Sequence, residues 1–277
     1  MAEPEHREEE LPAWSLPEEA EERIALPTEW PDRVTRDWAW RDGTGAGVSV
    51  CVIDSGIELD HPLVGHVDHS VSVERTGEEI DVREDDQGDL SGHGTACAGI
   101  IRSLAPECEL TSVRVLGAGF TGSGPVLLEG LRWAIDQGFD VINMSLSTTK
   151  RQFAETLHDL ADAAYFRRTM LVASAHNMPV ESFPWRFSSV ISVGSHEDED
   201  PFTYFYNPHP PVEFFARGLE VDAAWLGGET LRVTGNSFAT PHIAGICART
   251  LSKHPELTPF QLKSVLFLTA TNVGGNA

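Results

Sequence analysis

Lysine is scarce in this chain: Lys150, Lys253 and Lys263 stand against 17 arginines. Positive charge as a whole is outweighed, with 20 Lys and Arg against 43 Asp and Glu and a formal net charge of -23 at pH 7. Phosphate backbones and anionic bilayers attract basic surface, so this balance argues against a nucleic-acid partner and against an anionic membrane. The acidity fits solubility in an acidic proteome, a salt-adapted host or a preference for basic substrates. The shortage of lysine reads as genomic bias. No apolar run approaches the roughly 20 residues that cross a bilayer. The first thirty residues hold neither a basic n-region nor an apolar h-region, so no secretory signal is expected. Cysteine is limited to Cys51, Cys97, Cys108 and Cys247, without CxxC spacing and mostly within apolar stretches. They are expected as buried thiols of a reducing compartment, which makes the cytoplasm the expected location.

What is present organises the chain into two parts. Residues 1–35 carry 11 acids against Arg7, Arg23 and Arg33 and read as an acidic lead-in or strap. Residues 36–277 read as one domain. Val48–Asp54, Leu110–Leu116, Val141–Leu146, Met170–Ala175 and Val190–Gly194 are short β-branched runs, suited to strands buried on both faces. Between them Leu127, Leu131, Ala134 and Ile135 recur at helical spacing before the stop signal Gly138, and Leu157, Leu160, Ala161 and Ala164 repeat the pattern. Two more helices are predicted from Ser237 and from Thr258, where Pro259 suits a first turn. Strands alternating with helices imply crossover units. The expected fold is therefore α/β, a doubly wound, mostly parallel sheet with helices on both faces.

Three segments carry chemistry. Val52-Ile53-Asp54-Ser55-Gly56 puts a carboxylate at the end of a hydrophobic strand, where open parallel sheets gather their functional groups. Gly92-His93-Gly94-Thr95 opens an apolar segment, so the imidazole stands at the start of a helix. Gly235-Asn236-Ser237-Phe238-Ala239-Thr240-Pro241-His242 puts a serine at the head of another, and Pro241 is expected to lie close to that helix start. A neutral hydroxyl is a weak nucleophile and requires a base titrating near neutrality; a carboxylate fixes that base's tautomer and stabilises its cation. Each residue alone reads as readily as a strand-end cap, a surface histidine or a helix N-cap. Together, in the order Asp54, His93, Ser237, they read as acid, base and nucleophile.

VIDSGI, GHGTACAGI and GNSFATPHIAG resemble the three active-site blocks of the subtilisin-like serine proteases, across roughly residues 38–274. The chain order Asp, His, Ser is the one that separates this family from chymotrypsin-like proteases and α/β-hydrolases. The resemblance implies that Asn177, ending Met170–Asn177, donates its side-chain amide to an oxyanion, with Ser174 and His176 beside it. His176 stands where the family usually has glycine, a bulk that narrows the neighbouring pocket or alters the loop. Gly122-Ser123-Gly124 and Ser145-Leu146-Ser147 resemble the two segments that clamp substrate as an extended strand. Ser182 is a looser match to a pocket base. No cofactor is implied, and the expected partner is a peptide or protein substrate.

Other features read less sharply. The stretch between the His93 helix and the next strand is too short for the family's tight calcium loop. Asp81–Asp89 reads as a solvated acidic loop, with calcium as the alternative. Asp60, His61, His66 and His69 read as loop residues, with zinc as the alternative. Cys97, four residues after His93, reads as a small core residue or as a thiol beneath the imidazole. Residues 1–35 are short and acidic for a folding prodomain, and a strap lying in the cleft is one reading of them. A peptide ligase or macrocyclase using the same acyl-enzyme, and an inactive binding module, are the alternatives to a protease.

Overall fold

Runs rich in Val and Ile lose little by being pinned to a pleated backbone, and where both faces are covered they need no polar alternation. The five predicted runs accordingly form parallel strands in the computed structural model, which describes residues 30–273 together with Ser15 and Ile24. The chain divides into two compact units, Met1–Arg33 and Val34–Ala277. Most of the acidic lead-in lies outside the described residues, and every element named below belongs to the second unit.

In chain order these elements are β1 (Ser49–Asp54), β2 (His69–Thr76), β3 (Glu79–Glu84), α1 (His93–Leu104), β4 (Glu109–Arg114), α2 (Gly124–Gln137) and β5 (Val141–Met144). There follow α3 (Ala154–Phe166), β6 (Met170–Ser174), β7 (Ile191–His196), β8 (Tyr204–Tyr206), β9 (Phe214–Arg217), β10 (Val221–Trp225), β11 (Glu229–Val233), α4 (Asn236–Lys253) and α5 (Pro259–Thr269). The main sheet runs β3-β2-β4-β1-β5-β6-β7-β9-β8. Its inner pairings are parallel, and only the edge strands β3 and β8 pair antiparallel. β10 and β11 form a separate hairpin.

Side chains alternate across a strand, so β1 serves both faces of the sheet. Cys51 and Ile53 join Leu131, Ala134 and Ile135 of α2 and Leu157, Ala161 and Ala164 of α3 in one apolar layer. α1 and α4 pack together and cover the sheet on the other side, α4 reaching β5, β6, β7 and β9. The predicted punctuation holds. Gly138 closes α2 in a left-handed conformation with φ 78°, and Thr258 caps α5 in a capping box with Gln261, followed by Pro259.

The segment expected as an acidic loop is different. Its first part is strand β3, and Asp85 and Asp89 are buried. Arg114 donates two hydrogen bonds to Asp85, at 2.9 and 3.0 Å. Asp89 accepts five, discussed below. These carboxylates face cations and N–H groups of the fold itself, which is why a run that looks solvated in sequence is tucked in. Pro241 also departs from expectation. It lies inside α4, five residues past its start.

Candidate active site

β1, β4, β5 and β6 all end at the same rim, and the chain winds outward from β1 in both directions, the arrangement that opens a crevice at the carboxyl ends of parallel strands. Asp54 is the last residue of β1 and is fully buried. His93 is the first residue of α1. The close approach of α1 to the end of β1 requires glycine next to His93: a Cβ on Gly94 would lie 2.0 Å from the Gly56 carbonyl oxygen. His93 Nδ1 lies 2.8 and 2.9 Å from the two Asp54 carboxylate oxygens, so it carries the proton and donates, leaving Nε2 as the basic nitrogen. The Ser55 N–H donates to the same carboxylate at 2.8 Å.

Burial opposes charge on His93, but the adjacent Asp54 carboxylate outweighs it and holds the imidazole pKa well above its ordinary 6.5. The ring is hemmed in by Phe238, 5.0 Å away and tilted, and by the edge of Phe120 at 5.7 Å. Asp89, which the sequence left in an acidic loop, sets the helix that carries this ring. Its Oδ1 accepts from the Ser91 and Gly92 N–H groups and from Ser55 Oγ, and its Oδ2 from the Thr95 N–H and hydroxyl. A carboxylate at a helix N-terminus satisfies donors that have no partner inside the helix. Such a helix start lacks the usual Ser or Asp immediately before it, since Gly92 occupies the cap; the signal was three residues further upstream.

Ser237 is the second residue of α4, half-buried, with its N–H in the first turn where the helix supplies no acceptor. Among the described residues its hydroxyl makes no hydrogen bond to the imidazole in this structure; both groups open on the same cleft. Asn177 Oδ1 accepts the Asn236 N–H at 2.9 Å, which fixes the orientation of the amide. Its Nδ2 and Ser237 Oγ both border Gly235: a Cβ built there would be 3.4 Å from each. Asn236 itself locks this corner, with Oδ1 accepting from the Ser195 N–H (3.0 Å) and hydroxyl (2.7 Å) and Nδ2 donating to the His176 carbonyl. Sequence reasoning gave it no part; an asparagine next to a candidate nucleophile was the available signal.

Pro241 has no N–H to offer the Ser237 carbonyl one turn back. That carbonyl instead accepts from Ser145 Oγ at 2.8 Å and from the Cys97 thiol at 3.7 Å. The proline thus leaves free an acceptor that ties the Ser237 backbone to the loop after β5. Cys97 also lies 3.9 Å from His93 Nδ1, beneath the ring and fully buried. All four cysteines are free and buried.

The cleft has a volume of about 420 Å³. His93, Ser237 and Asn177 line it, and so do Gly122, Ser123, Gly124, Ser145, Leu146, Ser147, Ser174 and His176. Ser123 doubles as the N-cap of α2, accepting from the Val126 N–H. Phe120, Thr148 and Lys150 line the cleft too and had no assigned part from sequence. Ser182 turns away from it and joins Ser147 Oγ (3.1 Å) to Trp185 Nε1 (2.7 Å).

The metal alternatives draw on groups otherwise engaged. His61 contacts the Glu229 carbonyl through Nε2 and accepts the Leu63 N–H on Nδ1. His66 faces Asp68, and His69 faces Glu84 on the neighbouring strand. Among the described residues, Asp54, His93 and Cys97 are the group whose ligand atoms lie within 4.8 Å of one another. They are the hydrogen-bonded Asp54–His93 pair and the thiol beneath the ring. At the place of the family's calcium loop, only Ala105–Cys108 separate α1 from β4. There the Arg102 guanidinium donates to the carbonyls of Val64, His66, Pro106 and Cys108.

Residues 45–277 match the model of the subtilase family of peptidases. The chain is 32% identical over 242 residues to subtilisin Savinase of Lederbergia lenta, covering 83% of this chain and 86% of that protein. It is equally identical over the same length to M-protease of Shouchella clausii (strain KSM-K16), of which it spans 61%. A crystal structure of a cold adapted subtilisin-like serine proteinase superimposes with a TM-score of 0.69 at 29% identity, covering 85% of this chain and 87% of that one. The nine-stranded sheet, the site at its carboxyl rim and these matches agree: the chain belongs to the subtilase family of serine proteases.

Proposed function

We propose that the protein hydrolyses peptide bonds through an acyl-enzyme on Ser237. The observation that carries this reading is the doubly hydrogen-bonded contact of His93 Nδ1 with the buried Asp54, which leaves Nε2 basic on the cleft that Ser237 shares. Ser237 Oγ attacks the scissile carbonyl while His93 Nε2 takes its proton, and Asp54 stabilises the imidazolium. The Ser237 N–H and Asn177 Nδ2 donate to the oxyanion. His93 then returns the proton to the leaving amine, and water, deprotonated by the same nitrogen, releases the acid and regenerates the serine. Each protein group ends where it began, and no cofactor enters.

The rival reading, a ligase that shields the acyl-enzyme from water, calls for an element over the site. The 38 residues between Asp54 and His93 instead build β2 and the edge strand β3, and none of them lines the cleft. This favours hydrolysis. A processing role inside the cell is the biological setting we infer, supported by four buried, unpaired thiols.

A fluorophosphonate probe is expected to label the native chain on Ser237 and to leave Ser237→Ala unlabelled. Mass analysis of a cleaved peptide is expected to show the gain of one water. A mass equal to substrate minus the excised segment, with no water added, would identify transfer to an amine. Labelling that persists in Ser237→Ala would remove the assignment.

A further inference from the structure

Two of the three lysines are tied into the fold. Lys253 donates to the Asp37 carbonyl, and Lys263 pairs with Glu213 at 2.7 Å while donating to two carbonyls. Lys150 is different. It is exposed, it lines the cleft, and its ammonium has no ion-pair partner among the described residues. Its basic neighbour Arg151 pairs with Glu181, a carboxylate it shares with Arg186, so that carboxylate is already engaged by two guanidinium groups. Among the described residues, no Asp or Glu lines the cleft. A Debye length of about 8 Å at physiological salt means that a bound side chain feels these near groups rather than the distant acidic surface.

We propose that Lys150 is a specificity-determining residue that recognises a carboxylate side chain of the substrate, Glu or Asp, on the acyl side of the scissile bond. A preference for basic substrates is one of three readings of the net charge; the cleft points the other way. The position follows from the segment on which Lys150 lies. Ser145 is hydrogen-bonded to the backbone of Ser237, and Ser145-Leu146-Ser147 leads away from that nucleophile toward Lys150. A substrate strand laid along it at about 3.3 Å per residue brings a side chain roughly two to four positions before the cut within reach of the ammonium. This assignment rests on the proposed peptidase reading for the direction of the strand. An exposed ion pair is weak, so a preference of about two- to fivefold for Glu over Gln is expected at low salt.

The test uses Ser237→Ala, which binds without turnover, with and without Lys150→Met, Lys150→Arg and Lys150→Glu. Affinities are measured for peptides that carry Glu, Gln or Lys at each of the three positions. At one position Glu should bind more tightly than Gln. The difference should vanish in Lys150→Met, return in Lys150→Arg, turn toward Lys in Lys150→Glu and shrink as salt rises. Equal affinities at all three positions, a Glu preference that survives Lys150→Met, or no peptide binding would overturn the assignment. Turnover of the Gln peptide by the native chain is followed in parallel. No turnover, together with Lys150-dependent binding, would sink the peptidase reading and leave Lys150 standing.

Discussion

His93 is held between two opposing effects. Burial favours its neutral form, and the Asp54 carboxylate favours its cation more strongly, so its pKa lies well above 6.5. Only the neutral ring accepts the serine proton. Activity is therefore expected to climb with pH through that raised value, giving an acid limb displaced toward alkaline pH. Asp54→Asn removes the largest effect that opposes burial. kcat/KM should fall by roughly four orders of magnitude, and the remaining activity should titrate at lower pH. A pH profile of kcat/KM for both proteins checks this, and an unmoved acid limb would contradict the stated cause. At the same scale the excess of arginine over lysine finds a structural reason that composition did not suggest. Arg102 donates to four carbonyls, and Arg249 to those of Trp40, Arg41 and Leu104. A planar fork with five donors reaches several carbonyls at once, whereas an ammonium is a single point charge.

The elements show how helix ends are used to place side chains. α1 starts on glycine, without a cap of its own, and depends on Asp89 for its first donors. Asp89→Ala leaves buried N–H and hydroxyl groups without acceptors. It should lower unfolding free energy by about 2–4 kcal/mol, combining a lost cap with unsatisfied donors. Urea unfolding should show an earlier midpoint with an unchanged slope. Because His93 is the first residue of α1, activity should fall further than stability accounts for. α4 illustrates the opposite case, a helix interrupted on purpose. An interior proline usually costs about 3 kcal/mol or more, and here the carbonyl it frees is taken up by Ser145 and Cys97. The central strands β1, β4, β5, β6 and β7 were legible as apolar runs. β2, β3 and β8–β11 were not, because they lie toward the sheet's edges or in a hairpin, half-buried, where the pattern is mixed.

Across the whole molecule, acid is expected to be more damaging than alkali near neutrality. His242 is fully buried on α4, with Nδ1 on the Phe238 carbonyl, and burial pushes its pKa down to about 4. A histidine with a depressed native pKa contributes stability above the unfolded value near 6.5. That stability drains away as pH falls toward 4, since the unfolded chain then binds the proton first. The loss is about 3 kcal/mol at about 1.4 kcal/mol per pH unit. His93, with its raised pKa, acts with the opposite sign: its contribution is complete below 6.5 and is lost as pH rises through the native value. Stability of the native chain and of His242→Gln, compared between pH 6.5 and 4, should show the flatter slope in the variant. Equal slopes would assign the acid sensitivity elsewhere.

By itself the sequence determined the α/β class, the core strands, the helix stops and three candidate catalytic residues with their order. These are properties that period, β-branching and glycine or proline punctuation write locally along the chain. Tertiary structure decided the rest: that Asp89 and Asp85 are buried supports rather than solvated acids, that Pro241 frees a carbonyl inside α4, that Asn236 locks Asn177, and that Lys150 comes to line the cleft. Each of these depends on which groups meet across tens of residues. Hydrogen bonds and screened charges act over a few ångströms of space, and distance along a chain does not encode that.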